Sequence, residues 1–119
     1  MSLNCVNDVA IIRPHGDLDL AKEGLLTRTL HSLLNAQAYK VILDLSEVQH
    51  VNSQVLERLA RTIAVFRNHY GDVRFVGMTP YLQKIFIVAI SELQLRQFRV
   101  MGEALLSFDD GPWYDAVMN

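Results

Sequence analysis

Apolar residues along this chain fall into two alternating patterns, short continuous runs and longer stretches at helical spacing. Val9–Arg13 (VAIIR), Lys40–Leu45 (KVILDL) and Val73–Val76 (VRFV) are compact runs rich in β-branched residues, the pattern of strands. The Lys40–Leu45 run is apolar enough to be buried on both faces. Pro14 closes the first run and predicts a place near a sheet edge. Asn7-Asp8 is a turn pair, which makes Leu3–Val6 a hairpin partner for Val9–Arg13.

Between these runs the spacing changes to that of a helix. Leu26, Leu30, Leu33 and Leu34 share one face of a helix predicted from Leu20 to Ala36, with Asp19 as its cap. Lys22, Glu23, Arg28 and Ser32 fall mostly on its outer side. A second helix begins at Asn52 or Ser53 and carries Leu56, Leu59, Ala60, Ile63 and Phe66 inward. Its outer side holds Glu57 and Arg61 as an i,i+4 pair, and Gly71-Asp72 ends it. Thr79-Pro80 opens a third helix as cap and first residue, with Leu82, Ile85, Phe86 and Ala89 on its apolar face. Gln97–Met101 (QFRVM) reads as a last strand. Glu103–Phe108 reads as strand or helix, and Gly111-Pro112 as the start of a short terminal helix through Val117.

The order ββαβαβαβ with a final helix predicts an α/β fold, a mixed sheet of about five strands with three to four helices and right-handed crossovers. Residues 1–119 form one domain in this reading, its last stretch, 102–119, being the hardest to assign. So few helices leave one sheet face partly bare or free for contact. The loops after Arg13, Leu45 and Val76 belong at the same end of the parallel strands. Asp17, Asp19, Asn52, Ser53, Gln54 and Thr79 should therefore cluster there, where partners of open α/β sheets gather.

Composition narrows the function classes. The chain has 119 residues, half of them hydrophobic, which fits one core. A net charge of −2 without a basic run points to neither nucleic acid nor a membrane surface. The apolar run at Ile85–Ile90 is too short to span a bilayer, and Met1–Leu3 does not begin a secretory signal, so a cytoplasmic setting is expected. Cys5 is the single cysteine, and His15, His31, His50 and His69 lie in different elements without metal-ligand spacing. The glycines form no phosphate-cradling loop. Asp17 and Asp19 read as a cap beside a solvated carboxylate rather than an acid–base pair, and no nucleophile–base pair assembles. The expectation is a protein without catalysis, metal or cofactor. Arg58, Arg61 and Arg67 read as the wet face of the second helix, and Trp113 and Tyr114 as residues that close the core.

Three local motifs, in order and spacing, resemble those of the STAS domain, the fold of bacterial anti-sigma factor antagonists. Gly16-Asp17-Leu18-Asp19 is similar to the family's Gly-x-Leu-Asp after the second strand. Asp44-Leu45-Ser46 followed by Val51-Asn52-Ser53 is similar to its Asp-Leu, then hydrophobic-Asp-Ser, signature. Val76-Gly77-Met78-Thr79-Pro80 is similar to its strand, short loop and Pro-led helix. The resemblance runs from about Val9 to Val100. It implies a regulatory protein-binding module whose partner is an anti-sigma factor kinase or another regulatory protein, with Asp17, Asp19, Asn52, Ser53, Gln54 and Thr79 in the contact and Ser53 as phosphoacceptor.

The sequence also departs from that pattern. Asn52 stands where the family commonly has Asp, Gln54 where it has a second hydroxyl, and Val55 where it has Gly. Two readings of Ser53 stay open: an N-cap worth about 1 kcal/mol, or a regulated phosphoacceptor. The alternative function is a constitutive scaffold or accessory STAS subunit, stressosome-like or transporter-associated, without a phosphoswitch.

Overall fold

The computed structural model describes residues 1–90 and 93–110. Five strands form one mixed sheet in the order β1-β2-β3-β4-β5. β1 (Ser2–Val6) and β2 (Val9–Arg13) form an antiparallel hairpin across the predicted turn, where both Asn7 and Asp8 adopt positive φ. β2, β3 (Lys40–Asp44), β4 (Asp72–Val76) and β5 (Gln97–Phe98) then run parallel.

Alternation within each strand divides the core between the two faces of the sheet. Val41 and Leu43 of β3, with Val73 and Phe75 of β4, point to α1 (Leu20–Asn35), α2 (Ser53–Asn68) and α3 (Pro80–Ala89). Ile42 and Val76 point the other way, onto α4 (Met101–Ser107) and the 3-10 turn Phe108–Asp110. The second face is therefore covered by a short helix that the residue spacing left ambiguous. Met101 belongs to that helix and not to the last strand, which is limited to Gln97–Phe98. Met101, Ala104, Leu105 and Phe108 all pack on the second face.

Three further expectations are corrected. Glu23 is buried on α1, because it lies on the Leu26–Leu30–Leu33 stripe. Its carboxylate accepts from Thr27 Oγ1 and from Arg58 Nη1 of α2, at 2.8 Å for the latter. Ala89 is exposed, since α3 ends there and Ile90 turns inward instead. Arg67 is not on a wet face, since it is half-buried and bonds Asp72 of β4 at 2.9 Å, whereas Arg58 is exposed as expected but also ties α2 to α1. Arg61 fits that description fully, 3.9 Å from Glu57 with both exposed. The terminal helix from Gly111-Pro112 and the core-closing roles of Trp113 and Tyr114 lie outside the described residues.

Candidate functional site

β2, β3 and β4 end together, at Arg13, Asp44 and Val76, so their following loops meet at one pole. The first two loops are zipped by backbone bonds. Gly16 N–H donates to Glu47 O, Leu18 N–H to His50 O, and Asn52 N–H to Leu18 O, at 2.9 to 3.0 Å. Leu18 and Val51 form an isolated parallel bridge, with the Leu18 side chain buried beneath. Asp17, expected to be solvated, fastens the same seam: its Oδ1 accepts from the Gln49 and His50 amides at 3.2 and 3.1 Å.

The third loop is fixed to the second by close backbone approach. Leu45 N–H donates to Val76 O at 2.9 Å. Gly77 has φ +75°, and a Cβ there would lie 2.9 Å from Ser46 N, so a side chain is excluded twice. His50 meets Tyr81, at the start of α3, edge to face with ring centroids 5.4 Å apart.

Beneath this surface Asp44 holds the floor. Its carboxylate accepts from Ser46 N–H at 3.0 Å and from the Arg13 guanidinium at 2.9 Å. Burial alone would raise its pKa, yet the hydrogen bonds from Ser46 and the Arg13 charge outweigh burial and hold the carboxyl below its ordinary value. Neither Asp44 nor Arg13 was singled out as a site residue from the sequence. The signal that could have found them is a carboxylate ending an otherwise apolar strand.

Each helix start on this pole carries its own cap. Asp19 accepts from Lys22 N–H at 3.0 Å, Asn52 from Gln54 N–H at 2.8 Å, and Thr79 Oγ1 from Leu82 N–H at 3.1 Å. Asn52, not Ser53, is therefore the cap of α2. Ser53 is the first helical residue, exposed, and its hydroxyl has no hydrogen-bond partner among the described residues. All six residues predicted to cluster are brought to this pole. Asp17, Asp19, Asn52, Ser53 and Gln54 are exposed and Thr79 is half-buried. Only Asp17, Asp19, Asn52 and Thr79 have side chains bound into the scaffold.

Among the described residues, no group of three or more His, Cys, Asp or Glu side chains is placed to hold a metal ion. No described helix is long and apolar enough to cross a membrane.

The sequence matches the family model described as STAS domain over residues 1–100. No curated protein matches it. Solved structures share the fold at low identity. A protein of Thermotoga maritima superposes with a TM-score of 0.81 at 19% identity, covering 89% of this chain and 92% of that one. An anti-sigma factor antagonist from Mycobacterium paratuberculosis gives 0.79 at 16% identity, with 92% of each chain covered. The Bacillus cell fate determinant SpoIIAA in its phosphorylated form gives 0.68 at 17% identity, covering 87% of this chain and 95% of that one.

Proposed function

This chain belongs to the STAS domain family, and from that membership we propose that it is a non-catalytic regulatory module that binds another protein through the pole bearing Ser53. The partner is an anti-sigma factor with kinase activity or a related regulatory protein, met in the cytoplasm, and residues 1–119 act as one unit. The contact comprises Asp17, Asp19, Asn52, Ser53, Gln54 and Thr79, and phosphorylation of Ser53 weakens it.

One observation carries the reading. Asn52 supplies the cap, so the Ser53 hydroxyl is left exposed at the helix start with no structural task among the described residues. A phosphate there would add about −1.5 to −2 charges where backbone N–H groups and the helix dipole favour negative charge. The fold would tolerate it, and the effect would fall on the partner. The anti-sigma factor antagonist and the phosphorylated protein among the structural neighbours agree with this use of the fold.

The test is to express the protein with a candidate kinase encoded beside it, map phosphate by mass spectrometry and titrate partner binding. Ser53→Ala should leave stability within about 0.5 kcal/mol of the parent and bind normally, whereas Asn52→Ala should lose about 1 kcal/mol. Ser53→Asp should keep its melting temperature and weaken the complex about tenfold or more. A second reading, a constitutive scaffold or accessory subunit, is favoured by Gln54 and Val55 standing in place of the second hydroxyl and Gly. An unmodified Ser53 beside an active kinase, with Ser53→Asp binding as the parent does, selects it.

A further inference from the structure

The opposite pole of the sheet concentrates positive charge in a protein whose overall charge is −2. At the N-terminal ends of β3 and β4, beside the end of α2, lies a cavity of about 450 Å³. Its wall carries Lys40, Arg67, Arg74 and Arg96, and among the described residues Asp72 is the only carboxylate lining it.

That single carboxylate is already fully used. Asp72 Oδ1 accepts from Arg67 Nε at 2.9 Å and from the Val73 amide, while Oδ2 accepts from Arg74 Nε at 3.1 Å. Arg67 spends its remaining nitrogens on the carbonyl oxygens of Leu93 and Gln94. Arg74 is the anomaly. Its side chain is only 8% exposed, on the inner strand β4, lying over the Phe108 ring and donating through Nη1 to Ser107 Oγ. Burial, and the nearby charges of Arg96 and Arg67, act against its charged form, with Asp72 supporting it. Lys40 and Arg96 have no acidic partner among the described residues, and the remaining guanidinium nitrogen of Arg74 has no protein acceptor there.

Among the described residues, four cations face one saturated carboxylate and repel one another, a cost that the Phe98 ring, 5.6 Å from the Arg96 guanidinium, offsets only in part. We propose that this cavity binds a small phosphate-bearing polyanion, held by Lys40, Arg96 and the free edge of Arg74. Its volume suits a small molecule rather than a peptide or nucleic-acid strand. Guanidinium forks match phosphate oxygens in geometry as well as charge. Tyr70, 83% exposed on the rim, adds an apolar ring next to the charged wall. The site lies at the far end of β3 and α2 from Ser53, and stands whether or not that residue is phosphorylated.

The experiment titrates the full chain with tripolyphosphate, and separately with adenosine triphosphate, by calorimetry in magnesium-free buffer. Saturable binding of one equivalent is expected, accompanied by a rise in melting temperature. Lys40→Ala and Arg96→Ala should each weaken it about tenfold while leaving the unliganded melting temperature near that of the parent. Arg28→Ala, the same charge loss on the exposed side of α1, and Ser53→Ala should bind as the parent does. Tighter binding of adenosine triphosphate identifies a nucleotide as the source of the phosphate, and tighter binding of tripolyphosphate an inorganic or other compact polyanion. No saturable binding of either probe, or equal losses in Arg28→Ala and Arg96→Ala, overturns the site.

Discussion

Because the Glu23 carboxylate accepts from Thr27 and Arg58 within an otherwise apolar stripe, its charge is coupled to the packing of α1 on α2. The Thr27 hydroxyl lowers its pKa against the opposing effect of burial, and Arg58 lowers it further, so the folded value lies below the ordinary 4.5. A depressed carboxyl contributes stability in full above its unfolded value. That contribution is lost as pH falls through the folded value, since the unfolded chain takes up the proton first. Stability should therefore drop as pH falls below 4.5, and Glu23→Gln should flatten part of that slope. The variant should also lose about 1–2 kcal/mol at neutral pH, the smaller figure reflecting the half-exposed Arg58. Urea unfolding across the acid range checks both, and a slope identical to the parent's refutes the linkage. Asp44 has the same sign, so a residual slope should persist. Glu23 shows why residue type misleads when read alone. Its place one turn before Leu26 and Thr27 was visible in the sequence, but its partner thirty-five positions away was not.

The elements that the sequence made legible are those whose periodicity and end signals agree. Asp19 and Thr79-Pro80 mark helix starts and cap as expected, and the β3 run is buried throughout after Lys40. Between Gln97 and Phe108 the signals conflict. β-branched Val100 and aromatic Phe98 suggest a strand, while Met101, Ala104, Leu105 and Phe108 repeat at helical spacing. Tertiary packing decides: β5 pairs with β4 through only two residues, and the helical face closes over Ile42 and Val76. Of the candidate site, its composition was legible and its fastening was not. Asp17 is the instance, because two loop amides converge on one of its oxygens only after β2 and β3 have paired. Asp17→Ala should cost about 1 kcal/mol and speed amide exchange at Gln49 and His50, whereas Asp17→Asn, which keeps an acceptor oxygen, should show a smaller change. Unaltered exchange of those two amides in Asp17→Ala would mean that the backbone zipper alone sets the loop.

At the scale of the whole molecule, the described residues cover the two faces of the sheet unequally, but the faces must be stabilised together. α1, α2 and α3 bury one face over a broad core, including Phe66, Phe75 and Phe86, while the other rests on α4 and the turn after it. Phe108 joins that thin layer to the sheet twice, by packing with Val9, Ile42 and Val76 and by lying 4.0 Å under the Arg74 guanidinium. Ser107 adds a hydrogen bond to the same arginine at 2.7 Å. Truncating Phe108 removes a large buried ring and opens a route for water to Ile42 and Arg74. Phe108→Ala should therefore cost about 3–5 kcal/mol, a large share of a small domain's stability. If α4 is part of one cooperative unit, unfolding stays a single transition and the β3 and β4 amides lose protection together with those of α4. If α4 were an appendage, only residues 101–108 would exchange faster and the urea midpoint would hardly move. Residue-resolved hydrogen exchange distinguishes these outcomes. The buried connections through Arg74 favour the first, because detaching α4 would leave that charged side chain against an open apolar face with Ser107 removed.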